Sequence, residues 1–453
     1  MAGFCDHKRD RHVVIIGNGI AGITCARHLR KKDHHARITI ISGETPYFFS
    51  RTALMYVYMG HMRFEHIKPY EDWFWKKNRF DLVHEWVEKV DFEKKSIVLG
   101  NRELAYDILV LATGSKPRMF DYPGMDLKGV QGLYSFQDLQ RMEKNTENIQ
   151  KAVVVGGGLI GIELAEMLKT RKIAVTMLVR ENNYWDNVLP EEEARLINRH
   201  IREHHVDLRL GVELRSVEAD KEGKISAVTT SSGEEIACQF AGIAIGVKPN
   251  IDLFRESPLD TGEGILTDAC FRTNVENVFA IGDCVEFRDI PGADRKKIEQ
   301  VWYTARMHGE TLAYNLTADK PVKYSPGVWF NSAKFFDIEY QTYGFIPPVH
   351  VKGQRSFYWE HREGRMCFRM LYDDRSKAIL GINSLGMRWR HAFFDKAIRE
   401  GWHIDKVMQG LEQANFNPEF FEPYYMEIIE AYNQQYGTAI KTRKRSFLSR
   451  LFN

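Results

Sequence analysis

Three glycines, Gly17, Gly19 and Gly22, stand directly after four apolar residues, Val13 to Ile16, and open a second apolar run through Ile23, Cys25, Ala26 and Leu29. That order predicts a buried strand, a tight turn and a helix N-terminus. Such an arrangement holds the pyrophosphate of a dinucleotide. The first glycine permits the turn, the second lets backbone approach phosphate, and the third lets helix pack on strand. The helix dipole faces the negative charge. Glycine turns also serve packing alone, but the pattern returns over Val153–Gly161, VVVGGGLIG, with Gly156, Gly158 and Gly161. Two such units in one chain outweigh the packing-only reading.

Other residues fit the same chemistry. Glu44 lies roughly 20 residues beyond the first glycines, where an acid catches ribose hydroxyls. Arg51 sits in an aromatic stretch of low charge, ETPYFFSRTALMYVYMGHMRFEHI. Such a stretch is more often core than cofactor box, but a buried arginine needs a partner. A cofactor, its pyrophosphate or a carboxylate would supply one. Asn277–Asp283, NVFAIGD, reads as an apolar strand ending in Gly282-Asp283. The alternative for Asp283 is a simple helix cap.

The elements that must position these residues follow from pattern. A strand is expected over Arg37–Ile41, ended by Ser42-Gly43-Glu44, and short strands with charged turns over Asp81–Leu99. Tyr106–Gly114, YDILVLATG, is a second buried strand, and a polar helix runs from Phe136 to about Asn148. The second glycine unit has strand Ala152–Val155, helix Leu159–Lys169 and strand Ala174–Val179. Helical spacing returns over Gln300–Leu316. Aromatic strands are expected at Val328–Phe330, Phe335–Tyr340, Ser356–Trp359 and Met366–Leu371, with helices near His391–Glu400 and Ile404–Gln413. At 453 residues, two to four domains are expected.

Composition narrows the class. A net charge of +2 gives no general push toward nucleic acid. Six scattered cysteines form no CxxC and no zinc-type cluster with histidine, so a reducing compartment is expected and no metal site. No apolar run is long enough to span a bilayer. A soluble, cytoplasmic protein is the expectation, unless something anchors it peripherally to the inner face of a membrane.

In order, GNGIAG, ATGS, GGGLIGIELAE and AIGDC resemble the motifs of the pyridine nucleotide–disulfide oxidoreductase superfamily over about residues 12–325. That resemblance implies an α/β fold of two Rossmann-like dinucleotide-binding domains followed by an α+β domain. It implies FAD on the first domain and NAD(P)H on the second, so a flavin-dependent NAD(P)H oxidoreductase. The implied segments are 12–148 and 271–325 for FAD, 149–270 for NAD(P), 326–436 for the α+β interface domain, and a basic tail, 437–453. By the same resemblance Gly17, Asn18, Gly19, Ile20, Ala21 and Gly22 hold the FAD pyrophosphate, and Glu44 its adenosine ribose. Arg51 belongs to the cofactor site, Thr113 and Gly114 line the crossover, and Gly282 and Asp283 meet the ribityl chain. Gly156, Gly158, Leu159, Ile160 and Gly161 hold the NAD(P) pyrophosphate, with Arg180 and Gly246 in the same site. Glu163 approaches the nicotinamide and is the catalytic candidate. The helix carrying Trp302 stabilises negative charge on the reduced flavin.

Departures from the family pattern narrow the chemistry. The first helix carries only Cys25, so the paired cysteines of disulfide reductases are absent, and no cysteine stands between Thr39 and Leu99. Dithiol and single-cysteine redox chemistry are therefore not expected, and Cys284 reads as a packed small hydrophobe. FFSRTAL resembles the YxRxxL element of rubredoxin-, ferredoxin- and nitrite-reductase-linked reductases and of apoptosis-inducing factor. Met55-Tyr56-Val57-Tyr58 stand where several of those have a lysine near the flavin. The resemblance implies an acceptor other than a dithiol: a ferredoxin- or rubredoxin-like protein, a quinone or a partner redox subunit. A nucleotide-sensing scaffold and a direct NAD(P)H oxidase are the alternatives. Val179-Arg180 replaces the acid of NAD-selective sites and leans to NADPH, although Glu181 would bind a 2′-hydroxyl if the turn shifted. Arg388, Arg390 and His391 are either a binding cluster or a solvated helix start. The tail, Lys441–Asn453, is basic with four apolar residues at helical spacing, and is expected to dock on a partner, touch a membrane surface or pack in a homodimer.

Overall fold

The computed structural model describes residues 11–292, 295–417 and 421–441. The chain clusters into two compact units, Met1–Arg180 with Val212–Pro326, and Glu181–Gly211 with Gly327–Asn453. Residues 181–211, expected within the segment 149–270, thus group with the C-terminal part. The tail from 442 onward lies outside the described residues.

In the first unit a five-stranded sheet runs in the order Val278–Ala280, Ile108–Leu111, His12–Ile16, Arg37–Ile41, Phe80–Val83. Every pairing in it is parallel. The central strand is buried on both faces, which is why it reads as an unbroken apolar run rather than an alternation. The strand Val278–Ala280 returns the chain to this sheet's edge and delivers Gly282 and Asp283 beside the first glycine turn. A second parallel sheet of the same unit sets Ala174–Val179, Lys151–Val155, Phe240–Ile243 and Val130–Gln131 side by side. In each sheet the strand before the glycine turn is internal, the switch-point position at which α/β sheets bind ligands.

Two helices fix the first site from behind. Ile20–Lys32 packs along Trp302–Asn315, and Gly309 is the contact: a Cβ there would stand 2.5 Å from the Ala21 carbonyl oxygen. The helix Phe136–Asn145 is shorter than expected and starts at a capping box in which Ser135 and Asp138 satisfy each other's backbone N–H groups.

The second unit holds a five-stranded antiparallel sheet, ordered Phe330–Phe335, Ile338–Gly344, Ile379–Leu385, Cys367–Asp373, Gln354–Glu360. The single strand expected over Phe335–Tyr340 is broken by a turn at Phe336-Asp337. Phe336 takes φ +56°, a conformation a bulky side chain rarely adopts and that its sequence does not announce. The helix expected over Ile404–Gln413 splits at Gly410 into Ile404–Gln409 and Leu411–Ala414. The strand Ile379–Leu385 and the helix Tyr425–Tyr436 were not anticipated. The helix Glu191–Glu203 belongs to this unit through a buried charge cluster. Arg369 donates Nε to Glu193 Oε1 at 2.7 Å and Nη2 to Glu192 Oε2 at 2.7 Å, with its guanidinium over the Tyr358 ring. Burial pushes the Glu193 carboxyl up, opposed by Arg369. Arg388 pairs with Glu339 (Nε to Oε2, 2.6 Å), and His391 lies 4.3 Å from the Phe330 ring, so both have structural partners. No described helix is long and apolar enough to cross a membrane.

Candidate functional site

The two glycine turns assign each glycine a separate physical task. Gly17 has φ +114°, and a Cβ on it would lie 2.1 Å from the Ala112 carbonyl oxygen. Gly22 presses on the turn itself, its absent Cβ 2.1 Å from Gly17 O. Gly19 is different: its φ of −72° is ordinary, and a Cβ would meet nothing within 4 Å. The fold does not require glycine there, so the empty side of Gly19 serves something outside the chain. The second turn repeats this division. Gly156 has φ +123° with Ala244 O at 2.3 Å from a Cβ, while Gly158 again faces open space. Both following helices begin with a glycine N-cap that offers no side chain and with no acidic residue in the first turn. A helix start of this kind carries a positive end that suits an anion.

A cavity of about 810 Å³ opens on the first turn. Of the expected site residues, Gly17, Asn18, Gly19, Ile20, Ala21, Glu44, Arg51, Thr113, Gly114, Leu159, Ile160, Glu163, Gly282, Asp283 and Trp302 line it. Leu159, Ile160 and Glu163 enter from one face of the second glycine helix, Leu159–Thr170. Gly22, Gly156, Gly158, Gly161, Arg180 and Gly246 are not on its wall. Gly22 and Gly156 have the packing tasks given above. Arg180 follows the strand Ala174–Val179 directly. Gly246 has φ +102°, and its carbonyl accepts the Arg118 N–H.

Arg51 finds its partner within the chain. It donates Nη1 to Glu44 Oε1 at 2.8 Å and Nη2 to Glu44 Oε2 at 2.6 Å, and also bonds the Tyr134 carbonyl. The rings of Tyr134 and Phe49 flank it at 4.5 and 5.2 Å. Burial pulls the guanidinium pKa down, but the Glu44 bonds and charge outweigh it, and the group stays cationic. Glu44 Oε1 also accepts the Phe136 N–H at 2.8 Å. The carboxylate expected to face a ribose is thus held by Arg51 and by a helix start.

Asp283 is half-buried, and its carboxylate does not cap a helix. Its Oδ2 accepts from Ser115 Oγ at 3.1 Å and Tyr134 OH at 3.3 Å, and Gln300 Nε2 donates to Ser115 Oγ at 2.7 Å. Burial pushes the carboxyl up, opposed by Ser115, Arg51 and Tyr134. Below it His308 accepts the Gly282 N–H on Nδ1 at 3.1 Å, and burial pushes its imidazole down to about 3, so it stays neutral. The crossover is locked by Thr113 Oγ1, which donates to Asn250 O at 2.7 Å. Ser115, Tyr134, Gln300 and His308 carry this network and were not singled out in the sequence. Ser115 belongs to the ATGS motif and was legible in principle; the other three follow no local pattern.

All five described cysteines are reduced, and none lines the cavity. Burial pushes the Cys25 thiol up to about 12 and raises Cys284 as well. Neither is a thiolate at neutral pH. Away from the cavity, His200, His204 and Asp337 bring ligand-type atoms within 4.8 Å of one another. The sequence reading found no metal cluster because Asp337 lies far along the chain from the two histidines.

Two parallel sheets, two glycine turns and a cavity between the first turn and the second glycine helix define a two-dinucleotide oxidoreductase scaffold. The chain belongs to the pyridine nucleotide-disulphide oxidoreductase family, whose model matches residues 11–309. It is 28% identical over 281 residues to the assimilatory nitrate reductase electron transfer subunit of Bacillus subtilis, covering 61% of this chain and 36% of that one. It is 29% identical over 327 residues to rhodocoxin reductase of Rhodococcus erythropolis, covering 71% and 76%. The chain thus spans about a third of the first relative and three quarters of the second. Among solved structures, a ferredoxin reductase from Rhodopseudomonas palustris superposes with TM-score 0.75 at 21% identity, over 91% of this chain and 96% of that one, a likeness of fold.

Proposed function

We propose that this chain binds FAD in the cavity at its first glycine turn and oxidises NAD(P)H there, passing the electrons to a ferredoxin- or rubredoxin-type protein. The observation that carries this reading is one cavity that joins the first glycine turn, the half-buried Asp283 network and Glu163 of the second glycine helix. The residues fit the cofactor: an open glycine side, a helix start without a side-chain cap, and a half-buried carboxylate with one oxygen on Ser115 and Tyr134. When bound there, FAD would supply hydride acceptance from the nicotinamide and onward release of electrons to the acceptor. The chain's own part is to hold two rings together and keep water out. In this reading Gly17–Gly22 and Arg51 take the pyrophosphate side, Glu44 the ribose, Thr113 and Gly114 the crossover, and Gly282 and Asp283 the ribityl chain. The N-terminus of the helix Trp302–Asn315 supplies positive potential. Gly156–Gly161 with Gly246 and Arg180 take NAD(P)H, and Glu163 faces the nicotinamide.

The names of rhodocoxin reductase and of the other reductase relatives support a small redox protein as acceptor. Among the described residues no cysteine lines the cavity, which agrees with a non-dithiol acceptor. Turnover with such an acceptor tests the reading, and flavin reduction without turnover on any acceptor would favour a nucleotide-sensing scaffold. A cytoplasmic setting, a homodimer through the C-terminal domain and a peripheral membrane contact through the tail are further parts of the proposal. They rest on the reduced cysteines and on the basic, apolar sequence of the tail.

Arg180 decides the nucleotide. If it binds the 2′-phosphate, Arg180→Ala lowers kcat/KM for NADPH by about tenfold or more, the worth of a charge-assisted bond, and leaves NADH nearly unchanged. An unaltered NADPH/NADH ratio would remove Arg180 from the site.

A further inference from the structure

We infer that His200, His204 and Asp337 form a binding site for one divalent transition-metal ion of the zinc type. The two histidines stand four residues apart on the helix Glu191–Glu203 and just past its end, so their rings share one face. Asp337 comes from the turn between strands Phe330–Phe335 and Ile338–Gly344. His200 Nε2 lies 2.7 Å and His204 Nε2 3.0 Å from the same carboxylate oxygen, Asp337 Oδ1.

Three observations separate this cluster from an ordinary histidine–carboxylate contact. His200 is 1% exposed, yet neither of its ring nitrogens has an oriented hydrogen bond, despite the short approach of Asp337. A proton between them is badly aligned, whereas an ion to one side of the pair would meet both lone pairs. Second, the turn is held in a costly shape: Phe336, at φ +56°, lays its ring flat on His204, with centroids 4.1 Å apart and planes 6° apart. A strained residue that orients a neighbour is the usual mark of a pre-set site. Third, Glu203 Oε2 stands 3.7 Å from His200 Nδ1, beyond hydrogen-bond distance, so a carboxylate faces the second ring nitrogen on the side away from Asp337.

The geometry needs little adjustment. Zinc bonds of about 2.0–2.1 Å set tetrahedral donors roughly 3.3 Å apart, so the two contacts with Asp337, at 2.7 and 3.0 Å, open slightly, and all three donors already lie within 4.8 Å of one another. Two imidazoles and one carboxylate suit zinc, cobalt or nickel rather than calcium or magnesium. Three protein ligands leave the fourth position to solvent, and the exposed side of Asp337 is the entry. The ion would clip the helix to the hairpin within the C-terminal unit, with no part in the flavin site.

The test uses the full-length flavoprotein, stripped with chelator and titrated with zinc chloride in a calorimeter, with a thermal melt at each end point. Wild type should take up one tightly held Zn²⁺ per chain and melt at higher temperature. His204→Ala and Asp337→Asn should lose that rise and bind more than about tenfold more weakly, since even outer-shell losses cost that much. Both changes are at half-exposed or exposed positions, and melts without metal verify that the variants fold. Equal affinity and stoichiometry in all three proteins, or no uptake by wild type, would overturn the inference and leave the cluster as a hydrogen-bonded lock.

Discussion

Gly19→Ala is expected to give a folded protein that no longer retains FAD. The argument is one of subtraction. Gly19 has an ordinary φ, and the added methyl meets no atom of the chain within 4 Å. The direct cost to the fold is the exchange of an N-cap glycine for alanine, about 1 kcal/mol at most. The methyl instead occupies the space through which the backbone reaches a pyrophosphate. A loss of roughly 100-fold in FAD affinity, about 2.7 kcal/mol, is expected. Gly17→Ala would lose flavin for another reason. Its positive φ and the Ala112 carbonyl 2.1 Å away make it a folding defect. The check is the flavin-to-protein ratio after gel filtration, beside the melting curve of flavin-free protein. Full flavin content in Gly19→Ala would remove the first glycine turn from the cofactor site.

Gly158→Ala is the matching change in the second turn, and its expected phenotype is the opposite half of the first. The position has φ −111° and open space around a Cβ, so fold and FAD content should be retained. The methyl stands where the NAD(P)H pyrophosphate approaches the helix Leu159–Thr170. Bound flavin should therefore be reduced about 100-fold more slowly at low nucleotide concentration, with much of the loss recovered at high concentration if only binding is impaired. Rapid-mixing reduction measures this directly. Loss of FAD from Gly158→Ala, with NAD(P)H reduction of the remaining flavin unchanged, would contradict the division of labour between the two turns.

The parts of the site that the sequence showed are those governed by local backbone demands. A glycine between a buried strand and a helix has few alternative explanations, so Gly17, Gly19, Gly156 and Gly158 were legible, as was the strand ending in Gly282-Asp283. What the sequence did not show are side chains brought together from a distance. Tyr134 meets Asp283 across 149 residues and Gln300 meets Ser115 across 185, and nothing near them in sequence marks the role. Glu44 illustrates a half-legible case: its position is right for a ribose, but its carboxylate is engaged by Arg51 seven residues away. In the C-terminal unit the turn at Phe336-Asp337 was hidden because a phenylalanine with positive φ runs against local preference. The buried Arg369 and Glu193 pair, which ties residues 181–211 to the C-terminal sheet, was hidden by the same long reach.

The central claim is that one cavity brings a flavin on the first glycine turn against a nicotinamide carried by the second. Its most direct test is anaerobic mixing of the FAD-loaded protein with NADH and with NADPH, following the visible flavin absorbance. The account predicts full bleaching by at least one of the two nucleotides within a second, and recovery of the absorbance on adding an oxidised ferredoxin- or rubredoxin-type protein. A protein that fails to bind FAD, or whose bound FAD neither nucleotide reduces, would contradict it.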